Sequence, residues 1–287
     1  MTILVTGATG HVGRHVVSQL AARGERVRAM SRNPATAGVP AGVEVVGGDL
    51  LDVPSVTRAL AGAHRLYLFP EPRTAVEVVA AAVRAGVRRI VTLSSGAVTG
   101  GLDTDFQLPV EQAVEASGCE WTHLRPGEFA SNTLRLWGPS IRAERVVRHH
   151  QPDWRGLPTH EADIAAVGVE ALLGEGHHGR AYDLTGPHRL SAREQARLIG
   201  EALGEPIRVE TVTAEQSRRI LRAQGGWAAE NADFLTGFES YSPSDVPEFT
   251  AEEWDRMLEP LPTVERVLGR PAHTFARWAT DHAKDFR

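Results

Sequence analysis

Lysine is almost missing from this chain. Lys284 stands alone against thirty arginines, which removes an amine from every candidate site except one near the C-terminus. Tyrosine is scarce too, represented by Tyr67, Tyr182 and Tyr241 only. A single cysteine, Cys119, excludes an internal disulfide; it follows a Ser-Gly turn and precedes a strand pattern, so it reads as a packed small residue rather than a nucleophile. No run of 18 apolar residues is present, which excludes an ordinary membrane-spanning helix, and Met1 leads straight into a strand pattern with no basic leader, so a cytosolic location is expected. The net charge of −5 argues against nucleic acid as the main partner. Internal repeats, low-complexity tracts and charge blocks are also lacking.

What remains is a globular composition, with 42% apolar and 23% charged residues over 287 positions. That length buries a substantial core, as one large α/β domain or as a nucleotide domain carrying a smaller lobe. The arginine bias fits a GC-rich genome more than selection at any one site.

The N-terminus carries the clearest signal. An apolar run, Ile3-Leu4-Val5, is followed by Gly7, Gly10 and Gly13 and then by a helical apolar pattern at Val12, Val16, Val17 and Leu20. The reading is buried strand, tight turn, helix. Gly7 lets the chain turn, Gly10 lets backbone approach a pyrophosphate, and Gly13 lets the helix pack closely, with its unpaired N–H groups facing the anion.

Further strands are expected at Arg26 to Met30, Val43 to Val46, Arg65 to Phe69, Val87 to Leu93 and Glu120 to Leu124, alternating with helices at Val53 to Leu60, Thr74 to Ala85 and Pro109 to Ser117. This alternation implies right-handed crossovers and an α/β, Rossmann-type doubly wound parallel sheet. Ligands gather at the carboxyl ends of such strands. That rim presents Gly7, Thr9, Gly10, His11 and Val12; Arg32; Asp49 and Leu50; Phe69 and Pro70; Ser94 and Ser95; and Pro126, Gly127, Glu128 and Phe129. Strand two ends in Arg32 with no carboxylate beside it, which favours the 2′-phosphate of NADPH over NADH, although NADH stays possible. Asp49 either accepts from the adenine amino group or caps the next helix.

The second half is less regular. Capping boxes stand at Ser191/Glu194, Thr213/Gln216 and Thr250/Glu253, with strands at Ala181 to Leu184 and Ile207 to Val212. Trp227, Phe234, Leu235, Phe238, Tyr241, Phe249, Trp254 and Met257 form either the core of a small helical lobe or a pocket wall. The expected division is a cofactor domain over 1–150, completed by parts of 160–212, and a mainly helical substrate lobe over 213–287 with contributions from 127–160.

With the nucleotide turn, Leu93-Ser94-Ser95-Gly96 and Leu124-Arg125-Pro126-Gly127-Glu128-Phe129 together, the chain resembles the NmrA-like, atypical short-chain dehydrogenases/reductases. Glu161-Ala162-Asp163-Ile164-Ala165, Tyr182-Asp183-Leu184-Thr185-Gly186-Pro187 and the tail from Gly269-Arg270-Pro271 to Phe286 extend the likeness over nearly the whole length. The resemblance implies a Rossmann domain with a small C-terminal substrate lobe. It also implies a Tyr-x-x-x-Lys acid pair aided by a serine, and Ser95 matches that serine. The pair itself is missing: Asp103 and Gln107 occupy its positions, and no lysine occurs before residue 284.

Two functions follow from that gap. In the first, an NADPH-dependent reductase acts on a carbonyl that stabilises its own oxyanion, such as a quinone or a bulky aromatic, polyketide-type ketone of the kind met in antibiotic tailoring. Ser95 is then the catalytic candidate, with Tyr182 a weaker acid and Glu128 either facing the pocket or capping a helix. In the second, the protein is a non-catalytic NADP(H) redox sensor. Histidine is the residue type that can change charge near neutrality, but the spacing of His282 and of the pairs His149-His150 and His177-His178 from carboxylates matches no metal motif, so no metal is expected. The expected partner is a small aromatic molecule, without nucleic acid or membrane, and the protein is expected as a monomer or homodimer.

Overall fold

Strand β1 (Thr2–Val5) is buried at every residue, as a strand covered on both faces requires. The structure, a computed structural model, describes residues 1–238, 250, 252, 256 and 258–287. It adds β2 (Arg26–Ser31), β3 (Glu44–Gly47), β4 (Ala63–Leu68), β5 (Arg89–Leu93), β6 (Glu120–Pro126) and, later in the chain, β9 (Arg180–Leu184) to one sheet. Its order is β3-β2-β1-β4-β5-β6-β9, and every pairing is parallel. The order reverses between β1 and β4, the switch point at which a crevice opens in doubly wound sheets. The expected fold class is the observed one.

Helices alternate with the strands: α1 (Gly13–Ala22), α2 (Val53–Leu60), α3 (Ala75–Arg84), α4 (Gly96–Thr99) and α5 (Gln107–Glu115). On one face α1 packs beside α8 (Glu161–Leu173); on the other α2, α3 and α5 cover Leu66, Leu68 and Ile90. Helix α8 is buried around most of its circumference, so it lacks the one-sided stripe by which a helix is usually read. Its C-terminal end receives a cation from the sheet: Arg89 donates to the carbonyls of Ala171, Leu172 and Gly174 and pairs with Glu120 at 2.7 Å. The short helix α4 forms directly after β5 because Ser95 caps its first turn. Among the described residues no helix is long and apolar enough to cross a membrane.

Two compact units emerge. The first comprises Met1–Pro126, Glu161–Leu184 and Thr263–Arg270; the second comprises Gly127–His160, Thr185–Pro262 and Pro271–Arg287. In this division 127–150, expected to be shared between cofactor domain and lobe, falls in the second unit together with 185–212, and 263–270 falls in the first. The reason is pairing: β7 (Val146–His149) takes β11 (Arg208–Thr211) as its parallel partner. The second unit's core joins α7 (Gly138–Glu144), β7, α9 (Ala192–Leu203) and the C-terminal helix Phe275–Asp281 through Trp137, Ile141, Val147, Ile199, Trp278 and Phe286.

The capping boxes at Ser191/Glu194 and Thr213/Gln216 both form, opening α9 and α10 (Ala214–Gln224). Glu253 of the third lies outside the described residues, as do Tyr241, Phe249, Trp254 and Met257 of the apolar set. Leu235 of that set packs with the small core of Leu221, Ala228 and Ala232; Trp227 lies under Arg135 at 5.0 Å and Phe238 under Arg218 at 4.6 Å.

Glu128, also in the second unit, caps no helix; α6 (Asn132–Leu136) starts four residues later behind Ser131. Its carboxyl lies on Gly156, where an added Cβ would come within 2.1 Å of Oε2. Although the residue is half-buried as a whole, Oε2 is enclosed and has no hydrogen-bond partner. Burial drives its pKa up to about 7, against an opposing hydrogen bond with Gln195.

Two stability measurements test these contacts. Arg89→Met leaves helix-end carbonyls unpaired and should lower unfolding free energy by about 2 kcal/mol in urea titrations. For Glu128 the folded state keeps a proton up to about pH 7 that the unfolded chain releases near 4.5, so stability falls as pH rises through that window. Glu128→Gln should therefore be near neutral at pH 4 and stabilising by about 3 kcal/mol at pH 8. A difference that stays constant across this range overturns the assignment.

Candidate active site

Backbone packing builds the cradle. Gly7 holds φ at +58°, a conformation that favours glycine. The Gly10 N–H donates to the Gly7 carbonyl at 2.9 Å, and α1 begins directly afterwards. A Cβ at Gly13 would lie 2.1 Å from the Gly7 carbonyl oxygen, so only glycine lets the helix come this close to the turn. Val12 precedes α1 without a side-chain cap; the N–H groups of Arg14 and His15 are already bonded to the carbonyls of Gly10 at 3.1 Å and Val12 at 2.9 Å, so an anion at this helix start would meet the backbone ahead of them, at Val12 and Gly13. Thr9 and Gly10 are exposed and His11 half-buried, whereas the Val12 side chain is buried, so Val12 has only backbone to offer a ligand.

Thr6, which sequence reasoning passed over, fixes the neighbouring rim. Its hydroxyl donates to the Tyr67 carbonyl at 3.0 Å and accepts the Phe69 N–H at 2.7 Å. This clasp ties the ends of β1 and β4 together and sets Phe69 against the turn: a Cβ on Gly7 would meet the Phe69 side chain at 2.9 Å. Phe69 itself is 43% exposed, and Pro70 is buried. A serine or threonine directly after an apolar strand was the available signal. Arg32 stands exposed at the end of β2. Asp49 closes a local turn, its Oδ1 accepting the Leu51 N–H at 3.0 Å rather than capping α2, and the Leu50 carbonyl accepts from Thr74 at 2.7 Å.

At the ends of β5 and β6 a polar network holds the rim. Buried Ser94 donates to Glu111, whose two oxygens also accept Arg125 Nε at 3.0 Å and Nη2 at 2.5 Å. Arg125 reaches on to Thr99 at 3.1 Å, and Thr99 to Asp183 at 2.6 Å. Burial opposes ionisation of Glu111, but the hydrogen bonds from Arg125 and Ser94 outweigh it and hold the carboxyl below its ordinary range. Glu111, Glu115 and His123 bring ligand atoms within 4.8 Å of one another; Arg125 already supplies the counter-charge to Glu111 there. His123 is fully buried and stacks on Trp121 at 4.6 Å, and burial drives its pKa down to about 4.

Ser95 is half-buried and extended, and its Oγ accepts the Ala97 N–H at 3.2 Å. Accepting there leaves the hydroxyl hydrogen for another partner. The positions of the absent acid pair have structural work instead: Asp103 Oδ1 accepts the N–H groups of Phe106 at 3.0 Å and Gln107 at 2.9 Å, closing the start of α5. Tyr182 has its hydroxyl 2.8 Å from His177 Nδ1, and burial raises its pKa, which makes it a poorer acid. Pro126 ends β6 in the first unit; Gly127 and Phe129 begin the second, Phe129 bridging to Thr159.

The fit to a dinucleotide rests on this geometry: a turn with no room for a side chain at Gly13, an uncapped helix start, and an exposed arginine at the end of β2. A sequence-family model described as NAD(P)H-binding matches residues 7–175. Among characterised relatives, the chain is 39% identical to the (4-alkanoyl-5-oxo-2,5-dihydrofuran-3-yl)methyl phosphate reductase of Streptomyces griseus subsp. griseus, over 99% of both chains. It is 32% identical to the NAD(P)H azoreductase of Xenophilus azovorans, again over 99% of both. The crystal structure of an NADPH-dependent quinone oxidoreductase from Escherichia coli complexed with NADPH superposes with a TM-score of 0.77 at 26% identity, covering 97% of this chain and 99% of that one. The chain thus belongs to the NAD(P)H-binding family and is an NADPH-dependent reductase.

Proposed function

We propose that the protein reduces a conjugated, electron-poor carbonyl compound, a quinone or a bulky aromatic ketone of polyketide type, without a dedicated tyrosine–lysine acid. One observation carries this reading: the positions where that pair would stand are occupied by Asp103 and Gln107, and Asp103 is committed to closing α5. A placed proton donor contributes on the order of 10²–10⁴ in rate, so a reductase without one needs an acceptor that spreads the incoming charge itself. The relatives' names support this. An azo group, a quinone and an alkanoyl-substituted oxo-dihydrofuran are all unsaturated acceptors flanked by oxygen or nitrogen. The Streptomyces relative also agrees with a setting in secondary metabolism, such as antibiotic biosynthesis.

The chain's residues take these roles. Gly7, Thr9, Gly10, His11 and Val12 form the pyrophosphate cradle, Gly10 by letting the backbone come close, since its own N–H is bonded to Gly7, and Arg32 pairs with the 2′-phosphate. Asp49 and Leu50 flank the adenine; Phe69, Pro70, Ser94, Pro126, Gly127 and Phe129 orient the nicotinamide half. The bound cofactor supplies hydride. Ser95 donates its free hydroxyl hydrogen to the oxygen on which charge develops.

Two outcomes are expected when oxidation of NADPH is followed at the nicotinamide absorbance with a panel of quinones and hydroxylated polycyclic ketones. Ser95→Ala should lower kcat about 10- to 100-fold with little change in KM, less than the ~10²–10³ of an ordinary oxyanion donor because the substrate carries part of the charge. Arg32→Ala should weaken NADPH at least about tenfold in calorimetry and leave NADH within about twofold, as loss of a charge-assisted phosphate contact predicts. No turnover with any acceptor, alongside different affinities for NADPH and NADP⁺, would replace this reading by that of a redox sensor.

A further inference from the structure

Within the second unit, α6, α7, β7, α10 and α12 (Ala232–Leu235) enclose a cavity of about 390 Å³. That is the size at which pockets take small organic molecules. Its walls are mostly apolar, from Leu136, Trp137, Ile220, Leu221 and Leu235. One side is aromatic and flat: His149 and His150 stack at 5.0 Å with 14° between their planes, and Trp137 meets His149 edge-on at 6.1 Å. A planar guest finds matching surfaces there.

The polar groups around this wall narrow the guest further. His149 Nδ1 accepts the Gln151 N–H at 3.0 Å, which places the imidazole proton on Nε2 and makes that atom a donor. Burial, with a smaller push from His150, drives the His149 pKa down to about 4, so the ring is uncharged at neutral pH. The charged neighbours cancel: Arg148 is bound by Glu144 at 2.6 Å and Glu210 at 3.0 Å, and Arg208 lies 3.5 Å from Glu210, two cations against two anions. Helix α10 contributes Ser217 and Gln224 but no ionisable group to the lining. Among the described residues, the cavity combines a stacked aromatic wall, neutral imidazole N–H donors and a cation already paired with carboxylates, which suits an uncharged planar molecule carrying an acceptor oxygen better than an anion.

We propose that this cavity is a binding site for a planar aromatic carbonyl compound, seated against the His149–His150 pair with its oxygen accepting from His149 Nε2–H. The choice of a carbonyl ligand rests on the function proposed above; the volume, walls and donor stand independently of it.

The test uses the full chain and menadione as the probe. Calorimetry without nucleotide should show saturable binding, weakened at least tenfold by His149→Phe, which keeps the stack and removes the donor, and abolished by Ala223→Trp, which fills the cavity from its exposed rim. Both variants should bind NADPH as the unaltered protein does, which shows that they fold. Absence of binding, or binding indifferent to both substitutions, overturns the site. Steady-state assays separate this site from the proposed activity. Cavity-dependent binding of menadione that NADPH never reduces leaves the site standing and removes the activity. Reduction whose KM is the same in both variants does the reverse.

Discussion

The contact between the first helix and the turn before it governs the rest. With no side chain at Gly13, the helix backbone closes on the Gly7 carbonyl at a separation that any Cβ would forbid. The start of α1 then stands at the rim of the sheet, where the helix dipole attracts phosphate. Thr6 carries this order sideways: one hydroxyl serves a carbonyl and an N–H on β4, so the neighbouring strand end and Phe69 are set by the same turn. A cofactor site of this kind is made of backbone, and its precision comes from where side chains are lacking.

Further along the rim the logic changes from backbone to charge. Ser94, Glu111, Arg125, Thr99 and Asp183 form a continuous chain of hydrogen bonds linking β5, β6 and β9 to α4 and α5. A buried carboxylate is tolerable there because a guanidinium meets both its oxygens. The region in which related enzymes keep a proton donor is thus spent on rigidity. On the function proposed above, the substrate carries part of the developing charge itself, which accords with relatives named for azo, quinone and oxo-dihydrofuran acceptors.

Much of the first unit could be read from the chain because its signals are local. A buried strand, three glycines at fixed spacing and an alternating helix pattern each depend on neighbours within a few residues, and the parallel order of the sheet follows from handedness. The capping boxes of α9 and α10 were legible for the same reason, being closed between residues three apart. Helix α8 was not, since burial on nearly all sides erases amphipathic periodicity.

The sequence by itself therefore determined the doubly wound sheet, the nucleotide turn, the arginine at the end of β2 and the absence of a tyrosine–lysine pair. Tertiary structure alone decided that β7 pairs with β11, and that Asp103 closes a helix. It also decided that Glu128 lies over Gly156, where burial drives its pKa up to about 7, and that His149 and His150 line one cavity. Each of these depends on residues brought together from distant parts of the chain, where burial and partner choice, rather than local backbone preference, set the energy.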